Sequence, residues 1–268
     1  MISMAMKMYK VTRHVKKQPP QVEKMTLENA KIADSEGDTP LHYSTLFCWP
    51  REVFTKETVF AKNNKGITPL HIAARYNLFK YIPAEFITRE NLLTTANNGQ
   101  TPLHYAGQAK ANTLPFALLS PEDMNLPSVR GTTPLYYLTL SKNLDKVPPE
   151  MFTEDGLVKR IPCGPQRKGY TTVLHEAAKY ASLGCIPRKF FKEENLICAD
   201  SEGYSVLSLA KYSSDLDPLL GIRLSDKCRE MTGDIWFARN QKEIDAMDFR
   251  DRTLQEPTHE EAPEIDIF

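Results

Sequence analysis

Four of the six histidines recur at one place in a repeated tetrapeptide. His42, His71 and His104 each end the sequence Thr-Pro-Leu-His, and His175 ends Thr-Val-Leu-His. Histidine suits acid–base and metal chemistry near neutral pH, and either use would need several of these side chains to converge. Because their positions follow a repeat period, each belongs instead to a separate copy of one unit. We therefore interpret them as structural residues of a turn.

The other residues with chemical potential form no catalytic or metal-binding set. The cysteines number five, with no Cys-x-x-Cys pair, which predicts neither a disulfide framework nor a zinc site. Cys48 and Cys163 have no neighbouring histidine, so we expect ordinary thiols there. Acids seven residues after recurring prolines are interpreted as helix-capping groups; they are Glu57, Glu90, Glu122, Asp155 and Glu194. We expect no enzyme activity, no cofactor and no metal.

Composition is that of an ordinary water-soluble protein. The 268 residues are 41% apolar and 25% charged, with 34 basic and 34 acidic side chains. No apolar run approaches the ~18 residues of a membrane-spanning helix, and the basic N-terminus has no signal-like apolar stretch. We expect a cytoplasmic protein with reduced thiols and no membrane partner. The charge is uneven, because residues 1–25 carry a net +5 and residues 245–268 a net −6.

The tetrapeptide marks a repeat of about 33 residues. There are six copies of the motif, each preceded by a glycine, and we call the corresponding repeats units 1 to 6. The copies begin at Thr39, Thr68, Thr101, Thr133, Thr172 and Ser205. Threonine is a good helix N-cap, and proline is favoured at the first helical position. An internal proline such as Pro83 predicts a second short helix, and Thr88 predicts a third capped turn. The glycine and its neighbours predict a tight turn between units.

These motifs resemble the ankyrin repeat, with its Gly-x-Thr-Pro-Leu-His-x-Ala signature. The best copies are 66–74 and 99–106, and the resemblance covers roughly residues 20–222. It implies an all-α solenoid of about six helix–helix–turn units joined by short hairpin-like turns. It also implies that the motif histidines hydrogen bond the backbone. A recurring Pro-x-x-Phe-x-Thr-x-Glu-Asn-Leu block resembles a subtype found in bacterial and phage-type ankyrin proteins.

The repeat also sets the expected domain boundaries. Residues 1–31 are predicted to be an N-terminal cap with a partial repeat, and 32–222 the repeats, with an inserted loop at about 156–169. Capping helices are expected over 223–249, where Trp236 and Phe237 would cover the last unit. From residue 250 to 268 the chain is acidic and polar, and we expect a disordered tail.

With no catalytic set, function falls to the surface. The resemblance implies partner binding through a concave face made of turn tips and first helices. The family's variable positions there map onto Phe47, Lys65, Ile67, Arg75, Tyr76, Asn98, Gln100, Gln108, Arg130, Thr132, Lys168, Tyr170, Lys179, Tyr180, Tyr204 and Tyr212. The set is basic from unit 2 to unit 5 and rich in tyrosine and arginine, which are common at binding hot spots. An acidic protein surface is the expected partner, bound by an adaptor or steric inhibitor. The subtype resemblance suggests a bacterial or phage defence component as the inhibited partner.

Two other occupants of this face remain open. A nucleic acid could use the basic positions and the basic N-terminus, with a steep loss of binding in salt. The chain's own acidic tail could also compete for the face. The last five residues, 264–268, resemble short acidic peptides that end in phenylalanine and dock on bacterial DNA-replication proteins, but an unbound tail is the simpler interpretation.

Overall fold

The protein is a stack of short helical units, seen in a computed structural model that describes residues 26–43, 49–109, 114–163 and 169–255. Side chains of the last helix are described through residue 247. The α-helices are α1 (Leu27–Ala30), α2 (Lys56–Val59), α3 (Pro69–Arg75), α4 (Arg89–Leu92), α5 (Pro102–Gly107), α6 (Pro134–Leu140), α7 (Glu154–Val158), α8 (Val173–Lys179), α9 (Glu193–Ile197), α10 (Val206–Ser213), α11 (Arg229–Thr232) and α12 (Asp234–Gln255).

The first helix of each unit, which we call the inner helix, starts where the motif predicts. Units 2 to 6 have α3, α5, α6, α8 and α10, and unit 1 has one 3₁₀ turn, Pro40–His42. Consecutive inner helices pack on one another along the stack. The motif leucines of all six units are fully buried between them; they are Leu41, Leu70, Leu103, Leu135, Leu174 and Leu207. The all-α ankyrin-repeat solenoid predicted from the repeat is confirmed.

The second half of each unit is a series of short helical turns and not one continuous helix. Unit 2 has 3₁₀ turns at Phe79–Tyr81 and Ala84–Phe86, followed by the single α-turn α4. Pro83 separates the two 3₁₀ turns, because proline donates no backbone hydrogen bond and keeps the preceding residue out of the α region. The corresponding 3₁₀ turns elsewhere are Arg51–Val53, Phe116–Leu118, Pro121–Asn125, Leu144–Lys146, Pro149–Met151, Leu183–Cys185, Arg188–Phe190 and Asp217–Leu219.

The insertion between units 4 and 5 is partly structured. We expected a loop, but Ile161–Pro162 (β1) pairs antiparallel with Tyr170–Thr171 (β2), and the Ile161 side chain is fully buried. An apolar β-branched residue gains more from this burial than from exposure on a loop. Residues 164–168 lie outside the described part of the chain.

The C-terminal segment packs against unit 6 through a 3₁₀ turn, Asp226–Cys228, followed by α11 and α12. Trp236 and Phe237 are buried, and the Asn240 side chain bonds Gly221 N and Ile222 O at 2.7 and 2.9 Å. Helix α12 continues to Gln255, beyond the position where we expected disorder to begin. Residues 1–25 of the expected cap 1–31 and residues 256–268 of the expected tail 250–268 lie outside the described part of the chain. None of the described helices is long and apolar enough to span a membrane.

Candidate partner-binding surface

The turn tips of neighbouring units are joined by backbone hydrogen bonds. Asn64 N donates to Glu36 O, Asn97 N to Lys65 O, and Val129 N to Asn98 O, each at 3.0 Å. The tip glycines, such as Gly66 with φ +70°, adopt the left-handed conformation that favours glycine. At Gly66 a Cβ atom would come within 2.9 Å of Asn97 N in the next tip. The tips are therefore held in register with one another.

The motif histidines connect one unit to the next tip, as the resemblance implied. Nδ1 of His42 accepts from Thr39 N at 3.0 Å, which leaves the proton on Nε2 to donate to Ile67 O at 2.9 Å. His71, His104 and His175 make the equivalent Nε2 bonds to the carbonyl oxygens of Gln100, Thr132 and Cys198 at 2.9–3.2 Å. Each histidine thus stabilises a junction between units.

Burial keeps these histidines neutral. Desolvation lowers the pKa of His71 and of His104 to about 4, because the buried ring loses the hydration that stabilises its charged form. The pKa values of His42 and His175 are lowered by the same cause. Among the described residues, no group of three or more His, Cys, Asp or Glu side chains could hold a metal ion.

The structure places most of the predicted binding residues on two lines along the stack. The tips present Lys65, Asn98 and Arg130, all exposed. The C-terminal ends of the inner helices present Arg75, Tyr76, Gln108, Lys179, Tyr180 and Tyr212. Because the inner helices pack side by side, these ends form one continuous surface. Phe47 and Lys168 lie outside the described residues.

Some predicted residues support this surface from partly buried positions. The Gln100 side chain donates to the Tyr137 hydroxyl at 2.8 Å, and Thr132 Oγ1 lies 3.4 Å from the same oxygen. Sequence reasoning missed Tyr137 and also Tyr105, whose ring lies edge-on to His71 with centroids 5.2 Å apart. Both follow the fourth residue of the motif, and this position could have served as the signal. Ile67 is also half-buried and packs against the core.

Cations lie over tyrosine rings in units 4 and 5. Lys142 Nζ and Lys179 Nζ are 5.6 and 5.9 Å from the centroid of Tyr180, and Arg160 lies 4.3 Å from that of Tyr170. These distances are in the range of cation–π attraction. Sequence reasoning missed Lys142 and Arg160. Lys142 lies one position beyond the variable positions of the motif, and Arg160 belongs to the insertion, which has no counterpart in other units.

Unit 6 carries two exposed aromatic residues. The Tyr204 and Tyr212 rings are edge-to-face with centroids 6.5 Å apart, and the side chains are 42% and 79% exposed. Tyr76 of unit 2 is also 45% exposed. Exposed tyrosines offer large contact area at a small loss of conformational entropy on binding.

The described ion pairs that join successive units lie on the second halves of the units and not on the tips or the inner helices. They are Lys31–Glu57, Arg51–Glu85, Arg89–Asp123, Glu154–Lys192 and Glu193–Lys227. In contrast, within the described part of the chain Lys65, Arg75 and Arg130 form no ion pair. The charges of these five pairs are therefore used internally, whereas Lys65, Arg75 and Arg130 are available to a partner.

Together the tips, the linking histidines and the stacked inner helices define an ankyrin-repeat solenoid with an open, cationic and tyrosine-bearing face. No family model and no curated protein matches the sequence. Among solved structures, the chain is similar to the ankyrin repeat domain of Bcl-3, described as a unique member of the IkappaB protein family. The identity is 20%, covering 69% of this chain and 85% of that one, with a TM-score of 0.44.

A second similar structure is that of the Bd0816 predatory endopeptidase from Bdellovibrio bacteriovorus in complex with immunity protein Bd3460. The identity is again 20%, over 60% of this chain and 81% of that chain, with a TM-score of 0.39. The assignment of the fold rests on the repeat geometry of the chain itself.

Proposed function

We propose that this chain is a non-enzymatic, cytoplasmic member of the ankyrin-repeat family that binds an acidic protein surface through its concave face. The observation that carries the proposal is the series of cations at the tips and inner-helix ends that form no ion pair with described residues, together with the exposed Tyr76, Tyr204 and Tyr212. Such residues dominate the binding energy of many interfaces. The four described cysteines are free thiols, which agrees with a reducing compartment.

The mechanism follows from a module without catalytic machinery. Occupying a partner's surface either blocks that surface or brings the partner to another site, so the protein acts as a steric inhibitor or an adaptor. The Pro-x-x-Phe-x-Thr-x-Glu-Asn-Leu block motivates a narrower version, in which the inhibited partner is a bacterial or phage defence component.

Two alternatives use the same face. A single-stranded nucleic acid would place phosphates on the cations and stack bases on the tyrosines. Its binding would fall steeply with salt, as counterion release requires. The acidic segment 256–268, which carries five acidic and no Lys or Arg side chains, would compete with an acidic partner for the cations.

The test is capture of partners from lysate of the source cell, with and without nuclease. The bait variant replaces Arg75, Tyr76, Lys179 and Tyr180 by Ala. The control replaces Lys56, Lys80 and Tyr81 by Ala, which are exposed on second halves of units. We expect a protein that survives nuclease, is lost with the bait variant and is retained with the control. Capture lost with nuclease would support the nucleic-acid alternative, and capture by both variants would refute binding at this face.

A further inference from the structure

Two lysines from neighbouring units meet at one tyrosine ring. Lys142 follows inner helix α6 of unit 4, whereas Lys179 and Tyr180 end inner helix α8 of unit 5. We call these three residues the lysine–tyrosine site. Lys142 has φ +59°, a left-handed conformation that residues other than glycine rarely adopt. Its equivalents in units 2, 5 and 6 are Asn77, Ala181 and Ser214, whereas unit 3 has Lys110 at this position, outside the described residues.

The charge of this site is not neutralised by described side chains. Neither Lys142 nor Lys179 forms an ion pair with any residue that the structure describes. The acids nearest to them in sequence are Asp145, three residues after Lys142, and the buried Glu176, one turn before Lys179, and neither forms an ion pair with these lysines. Two ammonium groups at 5.6 and 5.9 Å from one ring centroid repel each other, and a bound anion would relieve that repulsion.

The adjacent unit offers a different chemistry. Helix α10 packs beside α8, so the exposed aromatic pair Tyr204–Tyr212 lies in the unit adjacent to the lysine–tyrosine site. The tip of unit 6 also carries Asp200 and Glu202. These acids would repel a nucleic acid, whose phosphates continue at every residue. A polypeptide can place a carboxylate at one site and an aromatic side chain at the next.

We propose that units 4 to 6 form a binding site for an acidic, aromatic segment of a partner protein. A Glu or Asp carboxylate binds at Lys142 and Lys179, and an aromatic side chain packs on Tyr204 and Tyr212. This inference rests on the proposed function and specifies the chemistry that the concave face recognises.

The test uses fluorescence anisotropy with the full chain and a labelled peptide of about ten alternating Glu and Phe residues. The site variant is Lys142→Gln with Lys179→Gln, and the matched control is Lys56→Gln with Lys80→Gln, which removes the same charge elsewhere. Because the lost bonds are charge-assisted, we expect the dissociation constant of the peptide to rise about tenfold or more for the site variant. For the control we expect it to change by less than about twofold. Equal loss in both variants, or in neither, would overturn the site.

Three further arms separate the contributions. The protein variant Lys142→Arg with Lys179→Arg keeps the charge and is expected to bind the peptide. A peptide in which Gln replaces every Glu is expected not to bind the unaltered protein. Tyr204→Ala with Tyr212→Ala is expected to weaken the Phe-containing peptide and to leave an all-Glu peptide unchanged. A variant that weakens both peptides alike would overturn the aromatic half of the proposal.

The remaining outcomes concern the occupant. Displacement of the peptide by an equal concentration of oligothymidine would overturn a polypeptide ligand. Tighter peptide binding by a chain ending at Gln255 would identify the acidic tail as the occupant and overturn a separate partner. If the cellular partner is lost with the Arg75, Tyr76, Lys179 and Tyr180 variant but retained with Lys142→Gln and Lys179→Gln, the proposed function stands and this site fails.

Discussion

At the scale of single residues, the motif histidines show how a side chain with catalytic potential is used structurally. Each is buried, neutral and bonded on both ring nitrogens, once within its own unit and once to the next tip. A buried imidazole that gains a proton loses its Nδ1 acceptor and bears an unsolvated charge. Protonation therefore acts against the junctions between units.

This gives a prediction for the pH dependence of stability. Unfolded histidine titrates near 6.5, whereas His71 and His104 titrate at about 4 in the folded chain. Between these values the unfolded state binds more protons, so stability is complete above about pH 6.5 and falls as the pH decreases. Each of the two contributes a loss of about 1–2 kcal/mol between pH 7 and pH 5.

Urea unfolding at pH 7 and pH 5 measures the effect. Above pH 5 the carboxylates with lowered pKa values, such as Asp123, contribute little, because their window lies below the ordinary carboxyl pKa. His71→Gln removes one titrating group and is expected to reduce the pH-dependent difference while lowering stability at pH 7. An unchanged difference would show that His71 is not buried and neutral.

Residue identity and spacing predicted the motif histidines and the caps, but not which side chains meet. Lys142 and Lys179 are 37 positions apart, and only the stacking of two units brings both to Tyr180. The variable positions of a repeat family describe one unit at a time. The contribution of Lys142 arises between units, so the motif contains no signal for it.

At the scale of elements, the ion pairs of the second halves join successive units but differ in burial. Asp123 is 2% exposed, and Arg89 binds it with two hydrogen bonds of 2.7 Å. Burial raises the pKa of Asp123, but the hydrogen bonds from Arg89 and Ser120 outweigh it and lower the net pKa. The Arg51–Glu85 pair is exposed on both sides, at 3.2 Å.

We therefore predict unequal effects of removing these two arginines. Arg89→Met leaves the buried carboxylate of Asp123 without its main partner and is expected to cost about 2–3 kcal/mol. Arg51→Met removes an exposed pair and is expected to cost less than about 1 kcal/mol. Chemical denaturation of both variants gives the comparison, and equal costs would contradict the role of burial.

In the second halves of the units, only some of the helical turns could be predicted from the sequence. Prolines and caps located some of these turns: Thr88 caps α4 as expected, with its hydroxyl accepting from Asn91 N at 3.3 Å. The 3₁₀ turn Phe79–Tyr81 carries no capping residue or proline, and it is defined by the burial of Phe79 against the stack. Such tertiary contacts have no local signature.

At the scale of the whole molecule, the main contacts between the described inner helices join neighbouring units. Each inner helix packs on its neighbours, so stability is a sum of unit and junction terms. Leu207 is fully buried in unit 6, next to the C-terminal segment.

Leu207→Ala is therefore expected to act locally. It should cost about 2–5 kcal/mol in the C-terminal units. Hydrogen exchange should show faster exchange of amides in units 5 and 6 and in α12, while α3 and α5 keep their protection. Leu103→Ala serves as the comparison in a central unit. Uniform loss of protection along the chain with Leu207→Ala would show all-or-none cooperativity instead.

The bonded tips have a consequence for affinity. Because the tips of units 1 to 4 are bonded one to the next, their binding groups form a linear series of subsites, spaced by the roughly 8–10 Å between packed helices. A partner with a matching spacing binds as a multivalent ligand: once one subsite is filled, the next is filled at high effective concentration. Gain or loss of a single unit would then multiply or divide the affinity by the contribution of one subsite. A change in spacing at one junction would instead misplace every subsite beyond that junction.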